Sequence, residues 1–166
     1  AESTALRFAK LELRAWPDLA PRYVKGNQET GEVYYTNSTH LNYKLALDPI
    51  DKVMKEGELH PFIKAGSITH VWMGEHKPDP KALASFVTKT FKYSENAQVA
   101  FSPAPTTAND CGATERGLKE SCSRCGSENV DGITRITGYF TRTSSWNAGK
   151  RGELKDRARV AVEGRI

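Results

Sequence analysis

The sequence is short of cysteine, poor in methionine and without any long apolar run, and these shortages exclude several classes of protein. Uncharged apolar stretches such as Leu45-Ala46-Leu47 and Val99-Ala100-Phe101 are a few residues long, far below the roughly 20 residues that a membrane-crossing helix needs. No charged-then-apolar signal peptide opens the chain, and it begins at Ala1 rather than Met, as a fragment or a processed chain does. The three cysteines, Cys111, Cys122 and Cys125, fall within fifteen positions. An odd, clustered set is a poor disulfide framework and reads as a reduced, cytoplasmic metal site. No internal repeat or low-complexity segment is present. What remains is a 166-residue chain, 38% hydrophobic and 27% charged. That is enough apolar content for one packed domain, or a core with a small appendage.

The net charge of +4 is carried entirely by residues 141–166, where Arg142, Lys150, Arg151, Lys155, Arg157, Arg159 and Arg165 face only Glu153, Asp156 and Glu163. A basic tail of this kind can meet nucleic acid or nucleotide phosphates. The plainer reading is a solvated helix face.

Periodicity predicts a helix over residues 3–15, with Ser3 as a cap and Leu6, Phe8, Leu11 and Ala15 as its apolar positions, broken by Pro17 and Pro21. Tyr34-Tyr35-Thr36 is β-prone. Asp48-Pro49 and Asp79-Pro80 each pair a capping carboxylate with proline at the first helical position. Ile50, Val53 and Met54 then share a face up to a terminating Gly57, and Leu83, Phe86, Val87 and Phe91 form the stripe of the next helix. Strands are expected over 67–73 and 99–102. This alternation is that of an α/β layer or barrel. Pro103-Ala104-Pro105 reads as a linker, residues 106–130 as a polar cysteine-bearing module, and residues 147–161 as a charged terminal helix.

Cys122-Ser123-Arg124-Cys125-Gly126 has the spacing of a metal knuckle, in which a tight turn aims two thiolates at one ion and the glycine permits the turn. Ala108-Asn109-Asp110-Cys111-Gly112 mirrors it, with Ala108 where a first cysteine belongs. The pattern suits a zinc ribbon that binds metal through three thiolates, or one whose site is degraded. Redox chemistry fits less well, because a redox CxxC normally opens a helix within a βαβ unit.

Arg135-Ile136-Thr137-Gly138-Tyr139, placed after the cysteine module and before Trp146-Asn147-Ala148-Gly149-Lys150, resembles the C-terminal end of the anaerobic (class III) ribonucleotide reductases. Upstream, Tyr34-Tyr35-Thr36-Asn37-Ser38-Thr39-His40-Leu41 is similar to the Tyr-Thr-Asn-Ser segment of that family, and Ala65-Gly66-Ser67, His70 and Met73-Gly74-Glu75 follow in the family's order. The match spans residues 34 to 150 or so. Asn42-Tyr43-Lys44 after Leu41 departs from the usual Pro-Val continuation, and Ala108 departs from a four-cysteine zinc site.

The resemblance implies an α/β fold: the C-terminal portion of a glycyl-radical-enzyme barrel (residues 1–105), a zinc-ribbon-like module (106–130), a glycyl radical loop (131–150) and a basic C-terminal helix (151–166). It implies reduction of ribonucleoside triphosphates to deoxyribonucleotides for DNA replication, with Gly138 storing the radical. Cys111, Cys122 and Cys125 become zinc ligands, and Asn37 and Ser38 become substrate-side residues. A radical-SAM activase with an iron–sulfur cluster generates the radical. A thiyl cysteine, absent from these 166 residues, belongs to a partner chain or an upstream part, within a dimeric assembly. Formate or a dithiol protein supplies electrons. The chain is then a fragment, a split-gene subunit or a spare radical-bearing part. The rival class is a non-catalytic zinc ribbon that binds nucleic acid through the basic tail, stacking Trp146 or Tyr139.

Overall fold

The structure, a computed structural model, describes residues 3–36, 39–136 and 138–162. It is a mixed α/β arrangement in three small sheets. Helix α1 (Ser3–Ala15) packs on a hairpin of β1 (Lys25–Asn27) and β2 (Glu32–Tyr34). Helix α2 (Pro49–Gly57) leads into β3 (Thr69–Gly74), and helix α3 (Pro80–Tyr93) crosses over to β4 (Val99–Pro103), which pairs parallel with β3. Then β5 (Thr106–Ala108), β6 (Thr114–Glu115), β7 (Val130–Ile136) and β8 (Tyr139–Arg142) form an antiparallel sheet in the order β6-β5-β7-β8. Helix α4 (Ala148–Asp156) closes the set.

Both capping carboxylates act as expected. Asp48 accepts from the Ile50 amide, and Asp79 from those of Lys81 and Ala82. These bonds satisfy amides that the first turn leaves without partners. The core gathers Val53, Val71, Met73, Phe86 and Val162, joining α2, β3, α3 and the C-terminal segment. Burying each of these large side chains stabilises the fold by about 1.5–3 kcal/mol.

Five expectations are corrected. The β-prone aromatic stretch begins its strand earlier, at Glu32, because Glu32, Val33 and Tyr34 pair with Asn27, Gly26 and Lys25. Gly57 does not end α2 by a left-handed turn: Glu58 stays helical, and Gly57 is required because a Cβ there would lie 2.6 Å from Asn96 Nδ2. Asn96 bridges α2 and β3, donating to the Val53 carbonyl and accepting from Thr69 Oγ1 at 2.8 Å. On α3 the inward row is Ala82, Phe86 and Thr90, which leaves Phe91 exposed. Residues 103–105 are not a linker: Ala104 is buried, its amide donates to Gly74 O, and Pro105 O accepts from Ile133. The terminal helix stops at Asp156. Residues 157–162 run extended beside β3, where the Val160 amide donates to Trp72 O at 2.9 Å and the Ala158 amide to Tyr43 O at 2.8 Å. The β-branched Val160 and Val162 suit that path better than a helix.

Helix α4 sits unusually close to β2. Gly149 and Gly152 face the strand backbone, and a Cβ on Gly149 would lie 2.8 Å from Val33 O. The seat is reinforced by Lys155 and Arg151, which pair with Glu32, and by Tyr34 donating to Asp156 at 2.9 Å. Among the described residues, no helix is long and apolar enough to cross a membrane.

Candidate functional site

The two cysteine turns share one backbone pattern. In the first, Gly112 N donates to Ala108 O and Ala108 N to Ala113 O. In the second, Gly126 N donates to Cys122 O and Cys122 N to Ser127 O, and every one of these bonds is 2.9 Å long. Gly112 and Gly126 take φ of +68° and +72°, a region that glycine enters without steric cost. Ala108 therefore stands where Cys122 stands in its own turn, and both are buried.

The three sulfurs lie within 4.8 Å of one another, with Cys111 and Cys122 3.7 Å apart. A tetrahedral ion with metal–sulfur bonds of about 2.3 Å sets sulfurs about 3.8 Å apart, so the donor set fits zinc. The backbone N–H of Ala113 draws the Cys111 thiol below its ordinary value, which favours the thiolate that binds metal. Asp110 ties the first turn to the segment between the second turn and β7, through Ser127 and through Asn129 at 2.7 Å. Glu115 braces the second turn, accepting from Ser123 N at 2.9 Å and Ser123 Oγ at 2.7 Å while pairing with Lys119. Sequence reading missed Asp110 and Glu115; both lie inside the module, but nothing in their spacing distinguishes them from solvated carboxylates.

The same sheet carries Gly138. Strands β7 and β8 form a hairpin in which Ile136 pairs with Tyr139 and Arg135 with Phe140, and Gly138 lies in the turn between them. Gly138 is exposed, and no described atom lies within 4 Å of where its Cβ would stand. Arg135 Nη1 donates to the Gly138 carbonyl at 2.8 Å, and its guanidinium lies 4.7 Å over the Phe140 ring. Tyr139 and Phe140 follow the turn at 58% and 42% exposure.

Asn37 and Ser38 lie outside the described residues. The segment after them is held by Glu56, which is fully buried: His40 Nδ1 approaches it at 3.4 Å, and the Leu41 amide donates to it at 3.1 Å. Beside it, Lys52 donates to His70 O at 2.6 Å, His70 stacks on Trp72 with centroids 4.7 Å apart, and Arg157 lies 3.7 Å from the centre of the same Trp72 ring while paired with Glu153 at 2.7 Å. This buried ionic and aromatic layer was not read from the sequence, because its members come from four separate segments.

Burial pushes His70 down to about 3, with the cationic neighbours adding to the effect. An unfolded chain takes up that proton near pH 6.5. Stability from neutral His70 is thus fully present above about pH 6.5 and is lost as pH falls toward the folded value, by about 2 kcal/mol at pH 5. Thermal melts between pH 7.5 and 5 are expected to show a shallower acid loss for His70→Gln than for the wild type. Parallel losses would contradict this.

The family model described as anaerobic ribonucleoside-triphosphate reductase matches residues 1–159. This chain belongs to the anaerobic ribonucleoside-triphosphate reductase family. The reductase of Escherichia coli K12 is 26% identical over 148 residues, covering 82% of this chain and 20% of that protein. The reductase of enterobacteria phage T4 is 25% identical over 168 residues, covering 96% of this chain and 26% of its own length. A solved anaerobic ribonucleotide reductase superposes with a TM-score of 0.70 at 21% identity, over 97% of this chain and 24% of the other. The Thermotoga maritima enzyme, solved with dATP and CTP, gives 0.59 at 18% identity, over 95% and 23%. The chain therefore spans a fifth to a quarter of the reductases it matches, and it shares their fold.

Five of the seven basic tail residues are engaged within the fold. Arg142 pairs with Asp131, Arg151 and Lys155 with Glu32, Arg157 with Glu153, and Arg159 with Glu75. Arg142, Arg151, Lys155 and Arg159 stay exposed while paired, as the solvated face expected from the composition does, and of these five Arg157 alone is buried.

Proposed function

We propose that this chain is the radical-bearing C-terminal part of an anaerobic ribonucleotide reductase that converts ribonucleoside triphosphates to deoxyribonucleotides, and that Gly138 stores the radical. The observation that carries this reading is the placement of Gly138. It sits at the tip of a hairpin built directly on the cysteine sheet, sterically free, with Arg135 on its carbonyl.

A hydrogen atom leaves Cα of Gly138 for a radical-SAM activase. The spin left on Cα spreads into the amide nitrogen on one side and the carbonyl on the other when these centres become coplanar, and glycine has no Cβ to oppose that plane. The guanidinium of Arg135 stabilises the carbonyl end of this system. The radical then takes a hydrogen atom from a cysteine thiol in the upstream part of the enzyme. The resulting thiyl takes the 3′ hydrogen of the ribose, and formate or a dithiol supplies the two electrons of the reduction.

Residues 1–105 complete an α/β barrel whose other strands lie upstream, which agrees with a parallel β3–β4 pair that has no further strand neighbour among the described residues. The exposed Tyr139 and Phe140 pack inside that barrel and shield the radical from oxygen. Asn37 and Ser38 belong to its substrate side. The assembly is dimeric and cytoplasmic.

Cys111, Cys122 and Cys125 hold zinc, which cross-links the two turns and fixes the base of the hairpin. Zinc bound by three thiolates is held more weakly than by four. Ala108→Cys is therefore expected to raise zinc affinity by at least about tenfold in a chelator competition; unchanged affinity would show that position 108 does not face the metal. The functional reading is tested by mixing the chain anaerobically with the upstream part of the reductase and a radical-SAM activase. A glycyl signal in electron paramagnetic resonance and deoxyribonucleotide formation are expected. Salt-dependent DNA binding with no radical would replace this reading by the nucleic-acid one.

A further inference from the structure

We infer that Glu115 supplies the fourth ligand of the cysteine centre, at the corner that Ala108 leaves without a thiolate, to make a site of three sulfurs and one carboxylate oxygen. The inference rests on the metal reading of Cys111, Cys122 and Cys125.

Strand pairing places Glu115 for this. Thr106 stands opposite Glu115, and Thr107 opposite Thr114. Opposed residues of an antiparallel pair share a face, and so do alternate residues of one strand. The side chains of Glu115 and Ala108 therefore project from the same face of the sheet as diagonal neighbours. The backbone match with the second turn makes this the face on which the missing thiolate would stand.

One oxygen–sulfur edge of a tetrahedral centre is in place. Glu115 Oε1 lies 3.6 Å from Cys122 Sγ, and the Cys111 and Cys122 sulfurs are 3.7 Å apart. Bonds of about 2.3 Å to sulfur and 2.0–2.2 Å to oxygen set a sulfur–oxygen edge of about 3.5 Å in such a centre.

The carboxylate is also oriented from outside. Oε2 pairs with Lys119, while Oε1 accepts from the Ser123 amide and hydroxyl. Hydrogen bonds of this kind fix a ligating carboxylate and preserve its affinity for the ion. Glu115 stands outside the three ligand atoms that lie within 4.8 Å of one another, so ligation requires Oε1 to turn toward Cys111 and Cys125 when the ion binds. The alternative role for Glu115 is bracing alone, through Ser123.

Zinc titration of the full reduced chain against a competing chelator separates these roles. Glu115→Gln is expected to cost about 10–100-fold in affinity in the natural background. In the Ala108→Cys background a thiolate fills the corner, and the same change is expected to cost no more than about threefold, because the coupling between the two positions has gone. Glu115→Cys gives an independent readout in the cobalt-substituted protein, where thiolate-to-metal charge transfer is expected to rise to the intensity of a four-thiolate site. Equal losses in both backgrounds, or an unchanged cobalt spectrum for Glu115→Cys, would overturn the assignment while leaving the three-cysteine centre in place. Failure of the wild type to bind zinc would overturn both.

Discussion

Gly138→Ala is expected to abolish the radical and leave the protein folded. In the activated wild type, the one hydrogen remaining on the glycine α-carbon splits the resonance signal into a doublet. The alanine variant is expected to show only background. The added methyl has room in the fold, since no described atom lies within 4 Å of its position. The strand pairs Ile136–Tyr139 and Arg135–Phe140 do not depend on the residue between them. Stability is therefore expected to change by no more than about 0.5 kcal/mol, as at other open surface sites. The loss is chemical: the methyl hinders removal of the remaining α-hydrogen and crowds the planar radical. A doublet of undiminished intensity in Gly138→Ala would place the radical on another residue.

Gly152→Ala is expected to do the opposite, damaging the fold first. Its Cβ would fall well inside van der Waals contact with the Glu32 carbonyl oxygen, and this neighbour is strand backbone rather than a flexible side chain. Helix α4 must lift from β2, weakening the Tyr34–Asp156 bond and the ion pairs to Glu32. Overpacking of this kind costs about 3 kcal/mol or more when the neighbour cannot move. For a chain of this size that is a fall of roughly 6–12 °C in Tm. A melt within about 2 °C of the wild type would show that the helix seat is looser than described. Two glycine-to-alanine changes fourteen positions apart thus separate a chemical requirement for glycine from a packing one.

Much of this was legible in the sequence where the signal is local. The Asp-Pro caps at Asp48 and Asp79 placed the starts of α2 and α3 to the residue, because capping depends only on neighbours a few positions away. The mirrored cysteine turns declared their geometry through spacing and glycine. What stayed hidden depends on distant partners. Residues 157–161 have helix-compatible composition, but Val160 bonds to Trp72 and Val162 joins the core, so tertiary pairing decides their path. Arg157 reads as one more tail cation, yet it is buried between Glu153 and the face of Trp72. Gly57 reads as a helix stop, and its true requirement is room for Asn96, 39 positions away. The Arg-x-x-Gly-Tyr segment was legible as a motif, while the place of its glycine in the β7–β8 turn on the cysteine sheet required the strand register.

The most direct test of Gly138 as the stored radical is mass spectrometry of the chain after anaerobic activation and exposure to air. Oxygen adds to a backbone α-carbon radical and cuts the chain there. The account predicts an N-terminal piece ending at Thr137 and a C-terminal piece of about 29 residues carrying the remnant of Gly138, in a yield that tracks the doublet intensity before exposure and falls to nothing in Gly138→Ala. An activated chain that bears the radical and survives air intact, or one cut at another position, would contradict it.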